Sequence, residues 1–80
     1  MAITLVFLGK LADLAGAGEK PVAAPLDWPG LLAALPGPLG VAVQGERTRV
    51  AINGALLADK TTLVAQDGDE IALLPPVSGG

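Results

Sequence analysis

The 80-residue chain contains no cysteine, histidine or tyrosine, and its single serine is Ser78. Each absence removes a class of chemistry. Without cysteine there is neither a disulfide nor a thiolate metal site. Without histidine the usual proton shuttle is missing, and the strongest side-chain nucleophile is missing with cysteine. Ser78 has no base to activate it, so the chain is not expected to be an enzyme on its own. Aromatics are limited to Phe7 and Trp28, and five basic residues are scattered through a chain of net charge −3. Nucleic-acid binding calls for a basic stripe with stacking aromatics, so no nucleic-acid partner is expected. A mildly acidic surface suits a basic partner instead. No apolar run approaches the length of a membrane span, and Met1-Ala2-Ile3-Thr4 lacks the basic start of a secretory signal. The expectation is a cytoplasmic protein with no membrane partner.

What the chain does have is apolar content, 51% of its residues, punctuated by 11 glycines and 7 prolines. This is a single ordered domain rather than a disordered chain. A domain of this size buries only about 60–65% of its unfolded surface, so good packing matters. Ile3 to Leu8 reads as a strand, with Ile3, Leu5 and Phe7 on the core face and Thr4, Val6 and Leu8 on the other. Lys10 to Ala15 reads as a short helix ended by Gly16 and Gly18. Glu19 to Ala24 is a second strand, which Pro21 assigns to a sheet edge. Asp27 is an N-cap for a main helix from Trp28 to Leu35, with Pro29 in its first turn and Leu31, Leu32 and Leu35 at core spacing. Leu39 to Gly45 reads as a loop with one helical turn. Arg49 to Asn53 is a strand, Asn53-Gly54 a tight hairpin turn, and Ala55 to Ala58 its short return. Asp59-Lys60 marks a turn, and Leu63-Val64 an apolar link. Asp67-Gly68 is another turn before a last strand, Glu70 to Leu74.

This order is an α+β pattern: a sheet with one main helix on one face. One helix covers one face, so the other faces solvent or a partner. Glu70 is not buried unpaired, which puts Leu74 outward with it; Thr4 likewise puts Leu8 outward. Two outward leucines at one place suggest a docking patch. The chain then divides into a body, residues 1–74, and an extended tail, residues 75–80. Pro75 and Pro76 have no N–H to give to a sheet and favour an extended backbone. Val77, Ser78, Gly79 and Gly80 follow, with little bulk and much freedom. Fully extended, the six residues reach about 20 Å, and Gly80 carries an α-carboxylate that can be delivered at arm's length.

Other constellations are weaker. Asp67, Asp69 and Glu70 do not match a calcium loop, which needs oxygens at alternate positions over a longer span, so a turn is favoured and no metal site is expected. Gly16-Ala17-Gly18 lacks the Lys-Ser/Thr of a phosphate loop. Pro75-Pro76 lacks PxxP spacing. Trp28 reads as a lid on the core.

The stretch Asp67-Gly68-Asp69-Glu70-Ile71-Ala72-Leu73-Leu74-Pro75-Pro76-Val77-Ser78-Gly79-Gly80 resembles the C-terminal signature of the small subunit of molybdopterin synthase, of the MoaD/ThiS-like ubiquitin-like family. Leu5-Val6-Phe7-Leu8, the Leu11 to Gly16 segment and Val50-Ala51-Ile52-Asn53 are compatible with it. The resemblance implies a ubiquitin-like β-grasp fold and a sulfur carrier with no bound cofactor. In that family the carboxylate at the position of Gly80 is adenylated with ATP by a ubiquitin-activating-type enzyme and converted to a thiocarboxylate. The tail then enters the large synthase subunit, in a heterotetramer, and gives sulfur to a cyclic pyranopterin precursor. The positions matching the family's contacts to the large subunit are Leu8, Leu56 and Leu74; relatives often carry phenylalanine at the first and last of these. Related possibilities are a thiamine-type sulfur carrier, a ubiquitin-like protein modifier joined to lysines, and an interaction module with an inert tail.

Overall fold

The alternation in the first strand sets the fold. In the computed structural model, which describes residues 2–35 and 37–75, β1 (Ala2–Phe7) buries Ile3, Leu5 and Phe7 and leaves Thr4 and Val6 half-buried on the other face. The chain continues through α1 (Lys10–Ala15), β2 (Glu19–Ala23), β3 (Leu26–Asp27), α2 (Trp28–Ala34), α3 (Pro38–Val43), β4 (Arg49–Ile52), β5 (Ala55–Leu56), a 3-10 turn at Lys60–Thr62, β6 (Val64–Ala65) and β7 (Glu70–Leu74). A five-stranded sheet is ordered β2-β1-β7-β4-β5. β1 and β7 run parallel at its middle, and the remaining neighbours are antiparallel. β3 and β6 form a separate antiparallel pair. This is the α+β pattern read from the residues and the mixed-sheet β-grasp fold that the resemblance implies.

All the buried helical side chains lie with one face of the sheet. Leu11 of α1, Leu31 of α2, and Leu39 and Val43 of α3 form a single core with Ile3, Leu5, Phe7, Val50, Ile71 and Leu73. Each fully buried aliphatic side chain contributes about 1.5–3 kcal/mol of hydrophobic stabilisation. The helical layer is therefore shared by three short helices, where the sequence predicted one main helix and one minor one. The segment from Leu39 to Gly45, read as a loop with one turn, is largely helix α3. Pro38 occupies the first turn of α3, where its missing N–H costs nothing. Gly40 looks like a loop residue in the sequence but is a packing residue. A Cβ there would lie 2.3 Å from the Leu35 carbonyl oxygen, so only glycine lets α3 sit this close to the end of α2.

Local signals held elsewhere. Asp27 caps α2, its carboxylate accepting from the Gly30 N–H at 2.9 Å. Lys20 donates to the Ala34 carbonyl at 3.2 Å, placing a cation at the negative end of α2. β2 is an edge strand, as Pro21 requires. Asn53 and Gly54 both have positive φ, 49° and 84°, the tight hairpin turn that joins β4 to β5. The returning strand stops at Leu56 rather than Ala58, because Leu57 turns inward against the core. The Leu63-Val64 link is not a bare link: Val64–Ala65 pairs with Leu26–Asp27.

Candidate functional site

The site is built from the sheet face that no helix covers among the described residues. Strand register places Val6 level with Ala72, Ala72 with Ala51, and Ala51 with Leu56. Directly opposed residues project to the same face, so these form an apolar row across β1, β7, β4 and β5. Leu56 is 59% exposed at the end of the row, while the small Ala51 between its neighbours is only 7% exposed. Leu74 follows Ala72 on the same face and stands opposite Arg49. Leu8 is 41% exposed beyond the end of β1, and its N–H donates to the Leu73 carbonyl at 3.3 Å. The structure thus brings Leu8 and Leu74 together at one end of the face, with Leu56 at its β5 side. Val6, Ala51 and Ala72 complete the face. Alternation had put Val6 and Ala72 outward; their membership of one row with Ala51 and Leu56 depends on strand order, which no local pattern carries.

Pro75 continues from β7, half-buried. It rests against Gly9, where an added Cβ would come within 3.0 Å of Pro75 Cγ. The turn leaving β1 and the exit from β7 therefore touch. Because β7 is the middle strand of the sheet, it ends at the centre of the sheet end, beside the apolar face. Pro76, Val77, Ser78, Gly79 and Gly80, the remainder of the predicted tail, lie outside the described residues.

The opposite end of β7 is held by Asp69. Its carboxylate accepts from the Gln66 N–H at 2.8 Å and from Asn53 Nδ2 at 3.0 Å. Asn53 Oδ1 in turn accepts from the Glu70 N–H at 2.9 Å. Asp69 is thus a turn-organising residue joining the Asn53-Gly54 hairpin turn to the turn before β7, which is not a hairpin because β6 pairs with β3 and not with β7. The Gln66 N–H, and then the Asn53 amide, hold its carboxyl below the ordinary value of 3.8. A lowered folded-state value means stability that is present above the unfolded-state value and lost as pH falls through the folded one. The unfolding midpoint is therefore expected to drop as pH is lowered below about 4, and Asp69→Asn is expected to flatten that fall; thermal scans across the acid range check both.

At the tail end, Lys60 donates to the carbonyls of Thr48, at 2.9 Å, and Gly45. Its ammonium also lies 5.8 Å from the centroid of the Trp28 ring. Burial, and then the charge of Arg49, lower its pKa. Trp28 is half-buried against the core, the lid that its place in the sequence predicted, with a cation on its outer side.

A mixed sheet with helices on one face and an apolar opposite face defines a ubiquitin-like β-grasp protein. No helix among the described residues is long and apolar enough to cross a membrane. Residues 5–80 match the ThiS family, and the chain belongs to that family: it is a ubiquitin-fold sulfur carrier of the ThiS/MoaD-like kind. It is similar to a chain of the protein–protein complex of subunit 1 and 2 of molybdopterin-converting factor from Helicobacter pylori 26695, with 30% identity and a TM-score of 0.67 over 100% of both chains. It is also similar to SAMP1 from Haloferax volcanii, with 27% identity and a TM-score of 0.65 over 100% of both chains. The HVO 2177 protein of the same organism shares the fold, with 22% identity and a TM-score of 0.77 over 100% of this chain and 87% of that one. No curated protein matches significantly.

Proposed function

We propose that this chain is the sulfur-carrying small subunit of a molybdopterin synthase. The observation that carries the reading is positional. The D-G-D-E ending starts at the Asp69-clamped turn, runs as the central strand β7 beside the apolar row, and reaches Pro75 at the sheet end. The likeness to the Helicobacter pylori molybdopterin-converting factor complex supports the same assignment. In this mechanism the carboxylate of Gly80, a poor electrophile, attacks the α-phosphorus of ATP on an adenylating partner, and pyrophosphate leaves. A sulfur donor then displaces AMP to give the thiocarboxylate. The apolar face, through Leu8, Leu56 and Leu74, docks on the large synthase subunit, and the tail from Pro75 through Gly79 threads into its active site. There the thiocarboxylate sulfur attacks a carbon of the cyclic pyranopterin precursor, an oxygen substituent leaves, and water then cleaves the acyl–sulfur bond, which leaves the sulfur on the precursor and restores the Gly80 carboxylate. The body of the chain supplies binding and reach and no proton transfer.

A second reading is favoured by the likeness to SAMP1: a modifier whose activated Gly80 is joined to lysine amines. Reconstitution separates the two. Thiocarboxylated protein mixed with a large synthase subunit and the precursor is expected to form molybdopterin. Failure to do so, with higher-mass protein adducts accumulating in native cells, would select the modifier.

A further inference from the structure

The chain is acidic overall, yet four of its five basic residues gather around the end of β7. Lys10 opens α1 immediately after Gly9, the residue in contact with Pro75. Lys10 and Arg47 line one shallow cleft with Glu46 and Thr48. Arg49 and Lys60 line the adjoining one with the same Glu46 and Thr48. Arg49 also stands opposite Leu74, the last residue of β7. Lys60 is turned inward onto the carbonyls of Gly45 and Thr48, so it fastens the loop that carries Glu46 and Arg47. Lys10, Arg47 and Arg49 are exposed. Two acids are close: Glu46, and Asp59, whose carboxylate accepts from the Thr61 N–H and hydroxyl. At the other end of β7 the charge reverses, with Asp67, Asp69 and Glu70 around its start.

Charge is therefore segregated along the strand that feeds the tail. Within a Debye length, about 8 Å at physiological salt, a local patch outweighs the net charge of the molecule. A partner with a negative rim attracts the tail end and repels the far end, which turns the carrier tail-first during encounter. We infer that Lys10, Arg47 and Arg49 form a docking ridge for an acidic rim around the tail-accepting channel of the large synthase subunit. This rests on the synthase reading and adds the chemistry of the partner. A nucleic-acid ligand is disfavoured because no aromatic side chain lines the ridge.

The test is the association rate of the full chain with the large synthase subunit, followed by stopped flow at low and at physiological ionic strength. The wild-type rate is expected to fall as salt rises. The reversed variant K10E/R47E/R49E is expected to associate about tenfold more slowly at low salt, with that salt dependence lost. The double variant K10E/R47E, altered only outside the strands, serves if the triple variant does not fold, and is expected to show the same loss in smaller measure. A wild-type rate that ignores salt, or a reversed variant that associates at the wild-type rate while L56D does not bind, overturns the ridge and leaves the synthase reading intact. Charge-dependent binding to a short single-stranded RNA, with association to the subunit unchanged by the reversal, also overturns it. If the wild-type chain forms no complex, the synthase reading fails and the ridge falls with it.

Discussion

Removing Gly80, or adding one residue after it, is expected to abolish sulfur transfer entirely while leaving the unfolding midpoint within error of wild type. The two halves of this expectation have separate causes. Among the described residues the core lies between Ile3 and Leu73, so the fold is expected to hold when only the last residue is changed. In the proposed mechanism, in contrast, the chemistry is confined to one group. An extension moves the terminal carboxylate onto another residue and lengthens a thread that two partner sites must accept. A missing glycine places a serine-glycine end where the partners receive Gly79-Gly80, and shortens the reach by about 3.5 Å. Reaction geometry tolerates much less displacement than that. Adenylate formation and sulfur release, assayed with the activating enzyme and the large subunit, check the loss; a thermal scan checks the retained fold. A carrier that still transfers sulfur with its C-terminus blocked would refute the carrier mechanism.

Leu56→Asp is expected to weaken binding to the large subunit by about 100-fold, the loss typical of a buried interface anchor, with a stability change of no more than about 0.5 kcal/mol. The side chain is 59% exposed in the free chain, so a charge there is solvated and the core does not feel it. In a complex that covers the apolar row, the same carboxylate is taken out of water without a partner. Leu56 is preferred to Ala51 for this test because Ala51 is already covered by the sheet and an acid there disturbs folding as well as docking. Isothermal titration with the large subunit reads the affinity. Unchanged affinity with an intact fold would move the docking surface away from this face.

Much of this was legible in local sequence. Alternation in Ile3 to Leu8 and Glu70 to Leu74 assigned both faces of the central strand pair correctly. Asp27 and Asn53-Gly54 were legible because caps and tight turns are set by a few adjacent residues. What the sequence hid depends on contacts distant along the chain. Gly40 lies in a stretch that reads as loop until the Leu35 carbonyl is brought against it. The β3–β6 pair is two residues a side, too short for periodicity, and exists because Leu26 and Ala65 are neighbours in space. The basic ridge was hidden most fully. Lys10, Arg47, Arg49 and Lys60 look scattered along the chain, and the fold collects them where β1 ends, β4 begins and β7 leaves the sheet. The expectation of a basic partner, drawn from net charge, gives way at the tail to the proposal of an acidic one.

The most direct test of the carrier claim is the intact mass of the protein after incubation with ATP, a sulfur donor and its activating enzyme. The expected result is a species heavier by the difference between one sulfur and one oxygen, mapped by fragmentation to the peptide ending in Gly80. A mass that stays unchanged under those conditions, with the enzyme active on another carrier, would contradict it.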